Sequence, residues 1–456
     1  MKEGVVKSAF VVNASRFDAS YHLSDGVQSK SQVLMSPYKI GSIGEASKDI
    51  FYGGRNRRVY VTSKAHGIPF LSSSSILKAD LSDVKMVSKK LTPNIQEQLL
   101  DKDWILISRS GTIGNTAYTN DIHAQKQASE DVIRVIPNDI LRAGYMYAFL
   151  SSKYGYSLLT QGTFGAVIQH IEPSHVSQIP IPQFPADFQT KIDKQIKEAA
   201  ALRVEANKLL EEAKKKVEEF VGVQFEKRKG YKTQSVSIKD VYKSFQLRLD
   251  PPAIINDSIF VLNRLKDKTI RLGDANLKVY RPGIFKRCYV SNGYAYIKGS
   301  ELFDINPFTK CDHLSRTQTP FVDEMLLKEN QILVTCAGSC GQIKLITKEF
   351  EDNESIGSQD IIRIESTDEL ITSQYLFVYL KTNLVFDYIQ SMKYGSVIER
   401  IEPFHVESIP VVKPTKELSK EVSSLIDKYK ECIYKAYCLE QSAIKTVEGE
   451  IDSWGK

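Results

Sequence analysis

Two stretches of this chain space their apolar residues at mixed intervals of three and four. The first runs Ile192, Ile196, Ala199, Leu202, Ala206, Leu209, Ala213, Val217 and Phe220. The second runs Leu418, Val422, Leu425, Tyr429, Cys432, Ala436, Leu439 and Ala443. Such a seam predicts two long amphipathic helices, each with a stripe that packs on another helix. Both follow a proline, Pro185 or Pro414, and Gly222 marks the end of the first. The polar stretch GVQFEKRKGYKTQS after it reads as a linker.

Elsewhere the pattern changes period. Alternating segments with glycine turns, Trp104 to Tyr118 and Ile332 to Ile346, predict β-hairpins. Short β-branched runs follow, Val132 to Ile136 and Ile361 to Ile364, and predict strands. Aromatic amphipathic stretches, Ala143 to Leu159 and Ser373 to Ser391, predict one helix each. An Ile-Pro element then closes the series, since proline stops regular structure.

The series occurs twice because the chain is an internal duplication. GTFGAVIQHIEPSHVSQIPIP from Gly162 aligns without gaps on MKYGSVIERIEPFHVESIPVV from Met392, so that Gly165 meets Gly395 and His175 meets His405, an offset of 230 residues. DWILISRSGTIG from Asp103 answers NQILVTCAGSCG from Asn330, and SEDVIRV from Ser129 answers SQDIIRI from Ser358. Weaker echoes pair RRVYV at Arg57 with KRCYV at Lys286, and SRFDASY at Ser15 with LRLDPPA at Leu247. A period this long is a duplicated domain with its connector, and not a solenoid.

The order domain, long helix, domain, long helix resembles the specificity subunit of Type I restriction–modification systems. The likeness covers nearly the whole chain. It rests on SRFDASY, the GTIG hairpin, SEDVIRV and the GxVIxxIEPxHVxxIP closures, most of them present in both copies. It implies a mixed α/β (α+β) fold, with two target-recognition domains separated by two long helices. The helices would form an antiparallel coiled coil with a pseudo-two-fold axis. The expected boundaries are 1–185 and 231–413 for the domains, 186–230 for the central helix and linker, and 414–456 for the C-terminal helix.

The resemblance further implies a non-catalytic subunit that reads a split, asymmetric double-stranded DNA site. Two methyltransferase subunits would dock on it, and restriction subunits through them. S-adenosylmethionine, ATP and magnesium would be used by those partners. The seam residues Ile192, Ile196, Leu202, Leu209, Val217, Leu418, Val422, Leu425 and Leu439 would then carry partner docking as well as mutual packing. A helix of about 30 residues spans about 45 Å, somewhat more than one turn of B-DNA at about 34 Å.

Charge fits this expectation without demanding it. The 456 residues carry 61 Lys+Arg against 55 Asp+Glu, a net charge of +6. Phe51 to Ala79 holds Arg55, Arg57, Arg58 and Lys64 and no acidic residue, with Tyr60 among them. Arg264 to Lys298 is similarly basic, and includes Arg281, Lys286, Arg287, Tyr289 and Lys298. Such cations neutralise phosphates, and arginine can bond guanine through two donors. The hairpin turn at Arg109 and the glycine loops with Gln161 and Thr163, or Lys393, Tyr394 and Ser396, complete the expected contacts. A solvated charged loop or a plain structural turn would read the same way.

Several chemistries find no support. His175 and His405 are explained by duplication alone. Cys311, His313, Cys336 and Cys340 do not match common zinc spacings. Leu249-Asp250-Pro251-Pro252-Ala253 lacks the aromatic residue that a methyltransferase motif needs. There is no GxxxxGK[ST], HExxH or GxSxG. All six cysteines follow residue 287 and no apolar run suits a signal peptide or membrane span, so a soluble cytoplasmic protein is expected. Two other readings remain open: a DNA reader serving a related modification or phage-defence system, and a duplicated adaptor that binds proteins.

Overall fold

A computed structural model describes residues 6, 8, 11–12, 17, 19–82, 84–161, 163, 170–223, 225, 235, 237–243, 247–309 and 311–455. Most of the linker after Gly222, part of SRFDASY and most of the Gly162 loop lie outside the described residues. The chain divides into two compact units, Met1–Val204 with Lys435–Lys456, and Glu205–Tyr434.

In the first unit, strands β1 (Ile40–Ser42) and β10 (Pro180–Pro182) form an antiparallel pair. A four-stranded antiparallel sheet has the order β2 (Ser47–Phe51), β9 (Val132–Pro137), β6 (Ile105–Ser108), β7 (Thr116–Tyr118). A second sheet has the order β3 (Tyr60–Val61), β5 (Met86–Ser88), β4 (Gly67–Leu71), β8 (Gln127–Ala128), with β4 and β8 parallel.

The second unit repeats all three sheets. β11 (Thr269–Arg271) pairs with β20 (Pro410–Val412). β12 (Leu277–Tyr280), β19 (Ile361–Ser366), β16 (Ile332–Thr335) and β17 (Ile343–Leu345) follow in order. So do β13 (Tyr289–Val290), β15 (Asp312–Leu314), β14 (Tyr294–Ile297) and β18 (Ser355–Gly357), with β14 and β18 parallel.

The expected hairpins are β6–β7 and β16–β17. Their turns need left-handed backbone, and glycine supplies it at Gly111 (φ +72°) and Gly114 (φ +77°), then at Gly338 (φ +71°) and Gly341 (φ +84°). β6 and β16 are buried along their whole length, which accounts for their continuous apolar sequence.

The aromatic helices differ from expectation. Each is two helices, Ala143–Ser151 with Lys153–Gln161, and Ser373–Leu380 with Asn383–Ser391. The break falls at equivalent hydroxyl residues. Ser152 and Thr382 adopt extended backbone, and their side chains accept from Gly155 N–H and Val385 N–H. A capping hydroxyl outcompetes continuation of the helix.

The long helices are Ala186–Val221 and Lys416–Asp452. Within the first unit Gln195 bonds Ser442 at 3.2 Å and Glu198 pairs with Lys435 at 2.8 Å, so these segments run antiparallel. Ile192, Ile196 and Ala200 share one core with Ala443, Val447 and Ile451. Within the second unit Ala206, Leu210, Ala213 and Val217 share a core with Val422, Ile426 and Tyr429. The buried stripe is shifted from the expected seam. Leu202, Leu209, Leu418, Leu425 and Leu439 are half-buried on its flank, while Leu210 and Ile426 lie in it. Adjacent apolar residues made the register ambiguous from spacing alone.

Each unit also buries a guanidinium completely. Arg134 of β9 donates to the carbonyls of Ala128 (2.6 Å), Val132 (3.0 Å) and Ser129 (3.4 Å). Arg363 of β19 donates equivalently to Gly357 (2.7 Å), Ile361 (2.8 Å) and Ser358 (3.5 Å). The arginine therefore fastens the end of β8 or β18, in one sheet, to the strand that begins the next.

Replacing Arg134 or Arg363 by Met strands these carbonyls, and should lower the stability of its unit by about 3 kcal/mol in urea titrations. His123 gives a second expectation. It is buried, and burial, with Lys126 and Arg203 nearby, pulls its pKa down to about 4. The unfolded histidine takes up its proton near pH 6.5, a typical value of about 6.5. Stability should thus be full above that value and fall as the pH drops towards 4, by about 3 kcal/mol at most. A His123→Gln variant should lose that slope in unfolding measured at pH 7.5 and pH 5.

Candidate nucleic-acid interface

In the first unit, residues 52–59 leave β2 as an irregular segment and carry three of the expected cations. Arg55 and Arg57 are exposed. Arg58 lies over the ring of Phe70 at 4.9 Å, and its Nη2 donates to Glu130 Oε2 at 2.6 Å. That hydrogen bond holds the guanidinium charged. Arg55 reaches the same carboxylate at 3.8 Å. Tyr60 is 49% exposed and carries Lys85 over its ring at 5.4 Å. Lys64 is exposed on the loop before β4.

The hairpin turn joins this rim. Arg109 N–H donates to Asp131 O at 2.9 Å, beside Glu130. Its guanidinium stacks on Tyr52 at 4.4 Å and pairs with Glu172 at 2.5 Å. Gln161 and Thr163 are half-buried at and just past the end of the helix Lys153–Gln161, and Gln161 lies against Gly26 of the helix Asp25–Leu34. The same helix meets the hairpin turn, where Gly114 approaches Thr160 and Tyr156.

The second unit builds the same rim with changed residues. Arg287 occupies the place of Arg58. It lies over Tyr296, the counterpart of Phe70, at 5.6 Å and its Nε donates to the Tyr296 hydroxyl at 2.9 Å. Gln359 stands where Glu130 stands, so no carboxylate is in that position. Lys286 and Tyr289 are exposed, with Tyr289 at 54%. Lys298 is taken up by Asp312 at 2.5 Å.

Arg281 pairs with Glu402 at 3.3 Å and lies 3.7 Å from Cys336 Sγ. Burial pushes the Cys336 thiol up, against the pull of Arg281, so it stays protonated. Tyr394 donates to Glu402 at 2.9 Å and stacks on His405 at 5.5 Å. Tyr394 and Arg400 exchange backbone bonds and close a hairpin whose turn holds Gly395 (φ +100°) and exposed Ser396. Lys393 pairs with Glu399 across it at 3.0 Å.

A carboxylate at one position thus anchors an arginine in both units. Glu172 and Glu402 each precede a short helix, Pro173–Ser177 or Pro403–Glu407. The arginine comes from the hairpin in one unit (Arg109) and from the end of β12 in the other (Arg281). Tyr52 and Cys336 fill the vacated positions. Sequence reasoning missed these carboxylates. The signal was present, since Ile-Glu-Pro is retained in both copies.

His175 and His405 hold backbone. His175 Nε2 lies 2.8 Å from Leu158 O, and His405 Nδ1 accepts from Glu402 N–H at 2.9 Å. Cys311 lies in a different core cluster from Cys336 and Cys340. Among the described residues no group of His, Cys, Asp and Glu is placed to hold a metal ion, and no helix is long and apolar enough to cross a membrane.

This duplicated, cation-rimmed mixed α/β architecture is one of a known class. The model of the Type I restriction modification DNA specificity domain matches residues 35–216 and 283–435, more than half of the chain. The chain belongs to that family. Among solved structures, it is 13% identical to the S subunit of a Type I restriction–modification system from M. genitalium (TM-score 0.36, covering 91% of this chain and 96% of that one). It is also 13% identical to the HsdS subunit from Thermoanaerobacter tengcongensis (TM-score 0.29, covering 92% and 97%). No curated protein matches it. The family assignment rests on the family model.

The pair Arg109–Glu172 is partly exposed, so it should couple weakly. A double-mutant cycle with Arg109→Ala and Glu172→Ala should give a coupling energy of about 1 kcal/mol or less in thermal unfolding.

Proposed function

We propose that this chain is a non-catalytic specificity subunit that reads a split, asymmetric DNA site, one half with each repeat (1–185 and 231–413). Methyltransferase subunits dock along the helical segments, and restriction subunits assemble through them. Catalysis, with S-adenosylmethionine, ATP and magnesium, belongs to those partners. The observation that carries this reading is the pair of rims. Both stack an arginine on an equivalent aromatic ring, Arg58 on Phe70 and Arg287 on Tyr296, yet the charges around that arginine differ. Two readers of one architecture with different surfaces suit a site whose halves differ in sequence.

The cations divide by role. Arg57, Lys64 and Lys286 are exposed, carry no ion pair with a described residue, and suit phosphate contact. Arg58 and Arg287 are held by stacking and hydrogen bonds, and so suit reading a base edge.

The test is co-expression with the methyltransferase of the same system, followed by mapping of methylated positions and binding measured over a salt series. A two-part asymmetric methylated sequence supports the reading. Affinity that ignores salt would turn it towards a protein-binding adaptor. Arg57→Ala and Lys286→Ala should weaken binding to all sequences and lower the salt slope by about one. Arg58→Ala or Arg287→Ala should cost about 1 to 3 kcal/mol on the specific site and relax one position.

A further inference from the structure

The two helical seams are equivalent position by position at an offset of 230 residues. Ile192 matches Val422, Ile196 matches Ile426, Ala206 matches Ala436, Ala213 matches Ala443 and Val217 matches Val447, and every one of these is buried. The layer at Glu440 breaks the equivalence.

In the first unit, Glu440 is 2% exposed and accepts from both Arg203 and the hydroxyl of Tyr147. Arg203 and Tyr147 are themselves largely buried. The equivalent residues in the second unit are Leu210, Ile433 and Phe377, which all lie in a single apolar core. The duplicated layer is therefore polar and charged in one unit and wholly apolar in the other.

A buried ion pair gives little net stability over an apolar layer, but either charge left alone is strongly unfavourable. The alternative assembly is two copies of the chain pairing like helix with like. If the first long helix met the first helix of a second copy, Arg203 would face Leu210 in place of Glu440. If the second met the second, Glu440 would face Ile433 in place of Arg203. Both arrangements bury a charge without a partner. Only the pairing of first helix with second closes the layer.

We propose that Tyr147, Arg203 and Glu440 form a pairing code, which makes the first long helix accept the second and reject another copy of itself. A single polar layer that sets partner choice at some cost in stability is an established use of such groups in helical seams. The code ensures that two different repeats are joined. Its value for reading an asymmetric site rests on the function proposed above, whereas the test below needs no DNA.

The experiment uses the full-length chain. Arg203→Ile and Glu440→Leu, made singly, should each lower the melting temperature by about 10 °C, because each orphans a buried charge. The triple variant Tyr147→Phe/Arg203→Ile/Glu440→Leu copies the apolar layer of the other unit, and should melt within a few degrees of the wild type. Its mass distribution in light scattering should also shift towards two chains at equal concentration. The exchange Arg203→Glu/Glu440→Arg should keep the wild-type distribution. If the triple variant does not fold, Arg203→Ile alone should show the shift in mass, because it removes the charge that forbids pairing of first helix with first. A wild-type mass distribution in both the triple and the single variant, or single variants as stable as the wild type, would overturn the proposal.

Discussion

Each unit depends on one buried guanidinium. Arg134 and Arg363 are flanked by apolar residues in their strands, and neither pairs with a carboxylate. Burying such a charge is costly unless its donors are satisfied. Here backbone carbonyls of the adjoining turn accept from both Nη atoms, while Nε has no partner among the described residues, so the fold can keep the arginine only by keeping that turn in place. The turn carries Glu130 and Asp131 in one unit, and Gln359 and Asp360 in the other. Glu130 bonds Arg58, and the carbonyls of Asp131 and Asp360 accept from Arg109 and Cys336, so the core brace and the surface charge pattern are coupled through three residues of backbone.

Duplication made much of this legible in the sequence. The hairpins, the strand after each and the two long helices follow from period and punctuation, and each was met twice. What escaped notice lay where local chemistry overrode pattern. Ser152 and Thr382 sit inside continuous aromatic amphipathic runs, and the helix breaks there because a hydroxyl caps the next turn. Leu209 and Leu210 are both leucine, so spacing could not decide which faces inward; Leu210 is the one buried in the core of its unit.

The rim was legible only in part. Clusters of Arg and Lys marked the segments that line the rim, but a sequence does not show which cations are already held by carboxylates. Glu130 is distant from Arg58 in the chain and is not retained in the second copy. Glu172 and Glu402 are retained, yet they sit in a motif that reads as a helix start. The charge actually offered at the rim is thus smaller than the count of basic residues suggests.

The exchange of arginines around Glu172 and Glu402 bears on how the two repeats diverged. The carboxylate stayed while its cation moved from one strand end to another. A variant carrying arginine at both positions keeps the carboxylate paired, so the move needs no step that strands it. Residues at positions 52 and 109, or 281 and 336, can then change one at a time while the framework beneath them stays intact. A rim built this way is free to acquire new surfaces without refolding its support.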